Sequence, residues 1–268
     1  MLEPSRRDVM AVAAGTVLAG VGTREAGAHD KAPGAAGPIV IGIPLFSGVT
    51  LLDFAGPLQI FFFAGLKVVL VAENDKPVAC TEGISVVPNQ TFENCPKLDA
   101  LLVPGGGGIP EAIENTAYRK FLQAKGAEVK WVTSVCHGSL LLAAAGLLDG
   151  YEAITHWGWL DCLRMFDKVK VPTDYYARYH IDRNRITGGG ISSGMDAALA
   201  MTVTFLGGKD GTTAAKRSQL ANQYAPAPPF NDGLPHAADP DIFSAVQAGM
   251  AGLVKQTEDA IKKVIGKK

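Results

Sequence analysis

Short apolar runs alternate along the chain with segments of helical spacing. Residues 38–46 form the first run, with Ile39, Ile41 and Ile43. A continuous apolar stretch of this length predicts a strand buried on both faces. Asp53 precedes a helix predicted over 54–63, with Pro57 in its first turn, where proline's fixed φ is accommodated. Strands are predicted at 66–72, 99–103 and 129–135. Hairpins are predicted at 77–87, turning at Glu82-Gly83, and at 176–186, turning around 182–184. Helices are read over 110–125 and over 138–145, with Gly146 as the stop of the second. Others run from the glycines at 188–190 through Leu206, near 215–224, and over 240–265.

Apolar strands alternating with helices imply an α/β fold, a mostly parallel sheet with helices on both faces. In such sheets ligands bind beyond the carboxyl ends of the strands. Three clusters fall there: Asp53 with Gly56, the glycines at 105–108, and Cys136-His137-Gly138.

Composition narrows the function. Of 268 residues, 47% are hydrophobic, enough for a large core. A net charge of -1, from 25 Lys+Arg and 26 Asp+Glu without a basic block, excludes a nucleic-acid surface. No apolar run reaches the ~18 residues of a membrane span. At the start, Arg6-Arg7 precedes a small-residue apolar stretch and then Ala26-Gly27-Ala28, so residues 1–28 read as an export signal of twin-arginine type. The protein is therefore expected in the periplasm, with 29–37 as a linker, 38–235 as the folded domain and 236–268 as an amphipathic surface tail. Four cysteines do not make a disulfide scaffold, although export would permit a bridge among Cys80, Cys95 and Cys162.

The chemistry centres on Cys136. The strand at 129–135 runs into Cys136-His137-Gly138-Ser139 and then an apolar helix. That is the layout of a nucleophile elbow with Cys in place of Ser, and the helix N-terminus favours a thiolate. Asp53 either caps its helix or serves as an acid and base beside the thiol, where partial desolvation would raise its pKa. The glycine run does not fit a dinucleotide loop, since Pro110 takes the last glycine's place. The amides of Gly106 and Gly107 could instead face developing negative charge. His137 is a candidate base, although adjacent residues on a turn rarely face each other. His156, in Thr155-His156-Trp157, is a candidate pocket residue. No spacing resembles a metal site, so no metal or cofactor is expected.

The elbow resembles that of the ThiJ/PfpI superfamily. Leu52-Asp53-Phe54-Ala55-Gly56-Pro57, the glycine run after Val103, Thr155-His156-Trp157, the segment 186–196 and the Tyr224–Phe230 segment follow in the order used by its isonitrile hydratase branch. The resemblance covers about 38–235. It implies a flavodoxin-like three-layer sandwich, a homodimer, a Cys136 nucleophile with Asp53 as acidic partner, and hydration of a small isonitrile to an N-substituted formamide. His137 departs from the Thr usual in that branch and resembles the peptidase-type members. That keeps two alternatives open: a Cys-dependent amide or peptide hydrolase, and a ligand-binding or redox-sensing module.

Overall fold

A computed structural model describes residues 37–173 and 176–266. The export signal expected at 1–28 lies outside the described residues. From Pro38 onward the chain forms one compact unit. Its elements are β1 (Val40–Pro44), α1 (Leu51–Phe63), β2 (Lys67–Ala72), the small hairpin β3 (Val78–Ala79) and β4 (Ser85–Val86), β5 (Gln90–Thr91) and β6 (Ala100–Val103). There follow α2 (Ile109–Glu114), α3 (Thr116–Glu128), β7 (Trp131–Ser134), α4 (Gly138–Ala144), a 3-10 turn (Trp157–Trp159) and α5 (Leu160–Arg164). The chain closes with β8 (Tyr179–Asp182), β9 (Arg185–Gly188), α6 (Ser193–Leu206), α7 (Gly208–Ala221) and α8 (Pro240–Ile265).

Seven strands form one sheet in the order β5-β2-β1-β6-β7-β9-β8, parallel except for β8 against β9 at one edge. Ile41, Ile43, Leu101, Leu102, Val103 and Val132 are fully buried, as expected for strands covered on both faces. Helices α1, α6 and α7 pack together in one layer, and α2, α3, α4, α5 and α8 in the other. This is the expected flavodoxin-like sandwich. The β6–β7 register pairs Val103 with Ser134, so the loop after β6 and the elbow after β7 leave the sheet side by side.

Several boundaries differ from those read in the sequence. Helix α1 begins at Leu51, because the Glu82 carboxylate accepts the Leu51 N–H at 3.1 and 3.2 Å. Asp53 is thus inside the first turn rather than before it, and Pro57 lies in the second turn. The helix expected over 110–125 is two helices. Asn115 is extended and caps the second through its side chain, accepting Tyr118 N–H at 3.0 Å. Residues 187–188 belong to β9, and the following helix starts only at Ser193. All four cysteines are free, so the permitted bridge among Cys80, Cys95 and Cys162 is not formed. The tail is not merely solvated. α8 packs on α2 and buries Thr257, Ala260 and Ile261, while its first half exposes Ile242 and Val246.

Candidate active site

The elbow is strained in the way a projecting nucleophile requires. Cys136 has φ +57°, a left-handed conformation that a non-glycine residue rarely adopts. Gly138 makes the turn sterically feasible, because a Cβ there would sit 2.2 Å from the Val103 carbonyl oxygen. The Cys136 amide donates to Gly189 O at 2.8 Å, tying the elbow to the loop after β9. The residue is only 2% exposed.

Asp53, on α1, reaches the same point from the other side. It is fully buried, and its Oδ2 accepts the Gly105 N–H at 2.9 Å. Its carboxyl and the Cys136 thiol lie close enough to act on each other's protonation. Gly105 is wedged between the two, since a Cβ there would lie 3.0 Å from both Asp53 Oδ2 and Cys136 Cβ. Asp53 Oδ1 has no hydrogen-bond partner among the described residues. Burial, opposed by hydrogen bonds from Gly105 and Cys136, pushes the Asp53 carboxyl up to about 7. Burial, then the Asp53 charge, pushes the Cys136 thiol well above its ordinary value, while the His137 and Ile191 amides act in the opposite sense on the sulfur.

His137 faces the sulfur after all. Its Nδ1 lies 3.0 Å from Cys136 Sγ, because the left-handed turn swings the next side chain back over the thiol. Its Nε2 lies 2.9 Å from Gly106 O and 3.2 Å from Gly106 N. One glycine therefore serves either tautomer: Nε2–H donates to the carbonyl, or Nε2 accepts the amide N–H. Burial depresses His137 to about 3, so the ring is neutral. The Trp159 ring stacks on it at 4.2 Å and 7°. The Trp159 Nε1–H donates to Thr257 Oγ1 on α8 at 3.3 Å. His156 stands edge-on to His137 at 6.5 Å, accepts Gly158 N–H at Nδ1, and is depressed by burial to about 4.

The glycine run has partners of its own. Gly106 has φ +150° and packs against the backbone at 48–50, where a Cβ would come within 2.2 Å of Gly48 O. Its N–H points at His137, and the Gly107 N–H donates to Thr81 Oγ1 at 3.1 Å. The Gly107 amide is taken up by Thr81, and the Gly106 amide pairs with His137 in the tautomer whose Nε2 is unprotonated, so a role for either at developing negative charge stays an expectation. The amides directed at the sulfur are those of His137 and Ile191. Sequence reasoning missed Trp159 and Thr257, and it named Gly105 only within the glycine run and Ile191 only within the segment 186–196, with no role for either. Trp159 left a fainter trace, as an aromatic three residues after His156 in a chain with 3 tryptophans.

This geometry has known counterparts. The model of the DJ-1/PfpI family matches residues 40–204. The chain belongs to the DJ-1/PfpI family. It is 36% identical over 228 residues to an isonitrile hydratase of Pseudomonas putida, an alignment spanning 85% of this chain and 96% of that protein. The crystal structure of a ThiJ/PfpI family protein from Pseudomonas syringae superposes with a TM-score of 0.79 at 35% identity, covering 88% of this chain and 99% of that one. A second relative, the HTH-type transcriptional regulator GbdR of Pseudomonas aeruginosa, is 31% identical over 170 residues, 60% of this chain and 45% of its own length. The likeness to the hydratase therefore runs nearly end to end, whereas the regulator shares only part of its length.

Proposed function

We propose that the protein hydrates an isonitrile to the N-substituted formamide, with Cys136 as nucleophile and Asp53 as the group that takes and returns the proton. The observation that carries this reading is an inverted order of basicity around the thiol. A free histidine is more basic than a free aspartate by about 2.6 units. Here Asp53 stands at about 7 and His137 at about 3. The difference of roughly 4 units, or about 5 kcal/mol, directs the thiol proton to the carboxylate. Below about 7 both groups are protonated; above it the pair holds one proton, either as thiol with carboxylate or as thiolate with carboxylic acid.

Isonitrile hydration needs that arrangement, because sulfur and proton arrive at the same carbon. The thiolate attacks the terminal carbon while the Asp53 acid delivers its proton there, giving the thioimidate R–N=CH–S–Cys136. The Asp53 carboxylate then takes a proton from water as the water oxygen adds to that carbon. Nitrogen is protonated, the C–S bond breaks, and R–NH–CHO leaves with the thiol restored. The net change is addition of one water. A linear isonitrile also presents a single unsubstituted atom, which suits a sulfur that is 2% exposed. The end-to-end likeness to an isonitrile hydratase supports the same reading.

A second reading rests on the 3.0 Å contact between Cys136 Sγ and His137 Nδ1, which suits a Cys-His hydrolase. Against it, acyl transfer needs donors free to hold an oxyanion; the Gly107 amide is occupied by Thr81, and the Gly106 amide is occupied in one His137 tautomer. The site of action, given the signal expected at 1–28, is proposed to be the periplasm, with a homodimer as the acting form. The test is direct. Protein beginning at His29 and its Cys136→Ala variant are incubated with cyclohexyl isonitrile, and formamide is followed by chromatography. Formation by the first and not the second is expected. Equal formation by both, or hydrolysis of amides without hydration, overturns the proposal.

A further inference from the structure

A cavity of about 280 Å³ lies against the residues that hold the Cys136 backbone. Its inner wall is built from residues that touch Cys136. Gly189 O accepts the Cys136 N–H at 2.8 Å, the Ile191 N–H is directed at Sγ, and Thr155 Oγ1 donates to Cys136 O at 3.4 Å. Leu52, Trp157, Ile191 and Leu234 give it apolar sides. An isonitrile whose carbon meets Sγ has its nitrogen substituent directed away from the sulfur, and this cavity is the adjoining space.

Two features give the cavity a chemical preference. The first is that its charges are compensated. Arg178 borders it, but the guanidinium is ion-paired to Asp196, and it also donates to Ser192 Oγ at 3.4 Å. Asp196 in turn accepts the Tyr224 hydroxyl at 2.9 Å. His156 is neutral, with Nδ1 occupied by Gly158 N–H. The second is Ser193, at the start of α6 and on the cavity wall. It is 2% exposed, and its Oγ has no hydrogen-bond partner among the described residues. A buried hydroxyl left unpaired is unfavourable, and a ligand group that reaches it removes that penalty.

Resting on the hydratase reading, we propose that this cavity is the subsite for the nitrogen substituent. It selects an uncharged, compact substituent bearing one hydrogen-bonding group, which pairs with Ser193. A site built to pair a polar group rejects analogues lacking it more strongly than an apolar site rejects an extra methylene.

Binding rather than turnover tests this, so that the two readings fail separately. The probes are N-cyclohexylformamide, its 4-hydroxy analogue and its 4-ammonium analogue, with dissociation constants measured by calorimetry on wild type and Ser193→Ala. Circular dichroism and thermal melting establish that the variant is folded. The expected result is that wild type binds the hydroxy probe about tenfold tighter than either of the others, and that Ser193→Ala weakens the hydroxy probe to the level of the apolar one. Equal binding of all three probes to wild type, a preference that survives in Ser193→Ala, or no binding of any probe overturns the subsite. Absence of isonitrile turnover with the predicted binding pattern intact would instead remove the hydratase reading and leave the subsite in place.

Discussion

Cys136 and His137 are neighbours in the chain, yet their side chains are held by different parts of the fold. Cys136 and its partner Asp53 are set by the carboxyl ends of β1, β6 and β7, through the elbow, Gly105 and the first turn of α1. His137 is held from two sides: its Nε2 meets Gly106 in the loop after β6, and its face is packed by Trp159 on the 3-10 turn and, through it, by Thr257 on α8. The first arrangement is short-range backbone geometry at adjacent strand ends. The second adds a ring stack from Trp159 and one hydrogen bond that joins Trp159 to Thr257, 98 positions apart. The comparison teaches that proton exchange at the sulfur is built wholly on the sheet, while the imidazole beside it also leans on a docked helix.

The sheet-held pair should therefore respond to mutation far more than the helix-held ring. Cys136→Ala removes the nucleophile and should lower formamide formation by at least about 10⁴-fold, as knocking out a nucleophile does elsewhere. Asp53→Asn keeps the shape and removes the proton carrier. Activity should fall about 10²- to 10⁴-fold. The same variant should gain stability with pH relative to wild type. Asp53 is raised from 3.8 to about 7, so the folded state holds a proton that the unfolded state has released between those values. Wild type loses that contribution as pH rises through 7, and Asp53→Asn does not. The relative gain between pH 4 and pH 8 is up to about 4 kcal/mol, read from denaturant midpoints. Loss of activity without the pH-dependent gain would mean that folding does not raise the Asp53 carboxyl.

On the helix-held side, Thr257→Val removes the acceptor of the Trp159 indole N–H and leaves that buried donor unpaired. It should cost about 1–3 kcal/mol in stability and change formamide formation by less than Asp53→Asn does. An activity loss as large as that of Asp53→Asn would erase the distinction between the two halves. A further effect is on the pH profile of stability. His137 and His156, lowered by burial to about 3 and about 4, are neutral when folded and take up protons on unfolding below 6.5. Their contributions are lost as pH falls through that window. Asp53 opposes one of the two. The melting temperature should therefore rise from pH 4 to about 6.5, dip slightly toward 7 and then level off with respect to these groups.

Much of the sheet-held half was legible in the sequence. Buried strands announce themselves as apolar runs, and the strand–Cys–Gly–helix pattern of 129–145 specifies an elbow by local geometry alone. Asp53 could be placed at the same end of the sheet, although its helix starts earlier than the pattern suggested. The start is fixed by Glu82, which is 31 residues away from Leu51. The facing of His137 onto the sulfur was not legible, because it follows from the left-handed φ of Cys136 rather than from residue spacing. The partners of the amides at 106 and 107 were not legible for a related reason. A glycine run shows that backbone approaches closely, but not which acceptor each N–H meets. Trp159 and Thr257 were beyond reach, since nothing local at either position encodes the other.

The central claim is that Asp53 and Cys136 share one proton above about pH 7 and that Asp53, not His137, carries it. The pH dependence of kcat/KM for formamide formation, measured on wild type and Asp53→Asn between pH 5 and 9, tests this most directly. The account predicts a wild-type rate that rises with an apparent pKa of about 7, as the doubly protonated pair gives up its first proton. It also predicts that this limb is absent from the weak residual activity of Asp53→Asn. A limb near 7 that persists unchanged in Asp53→Asn would contradict the account.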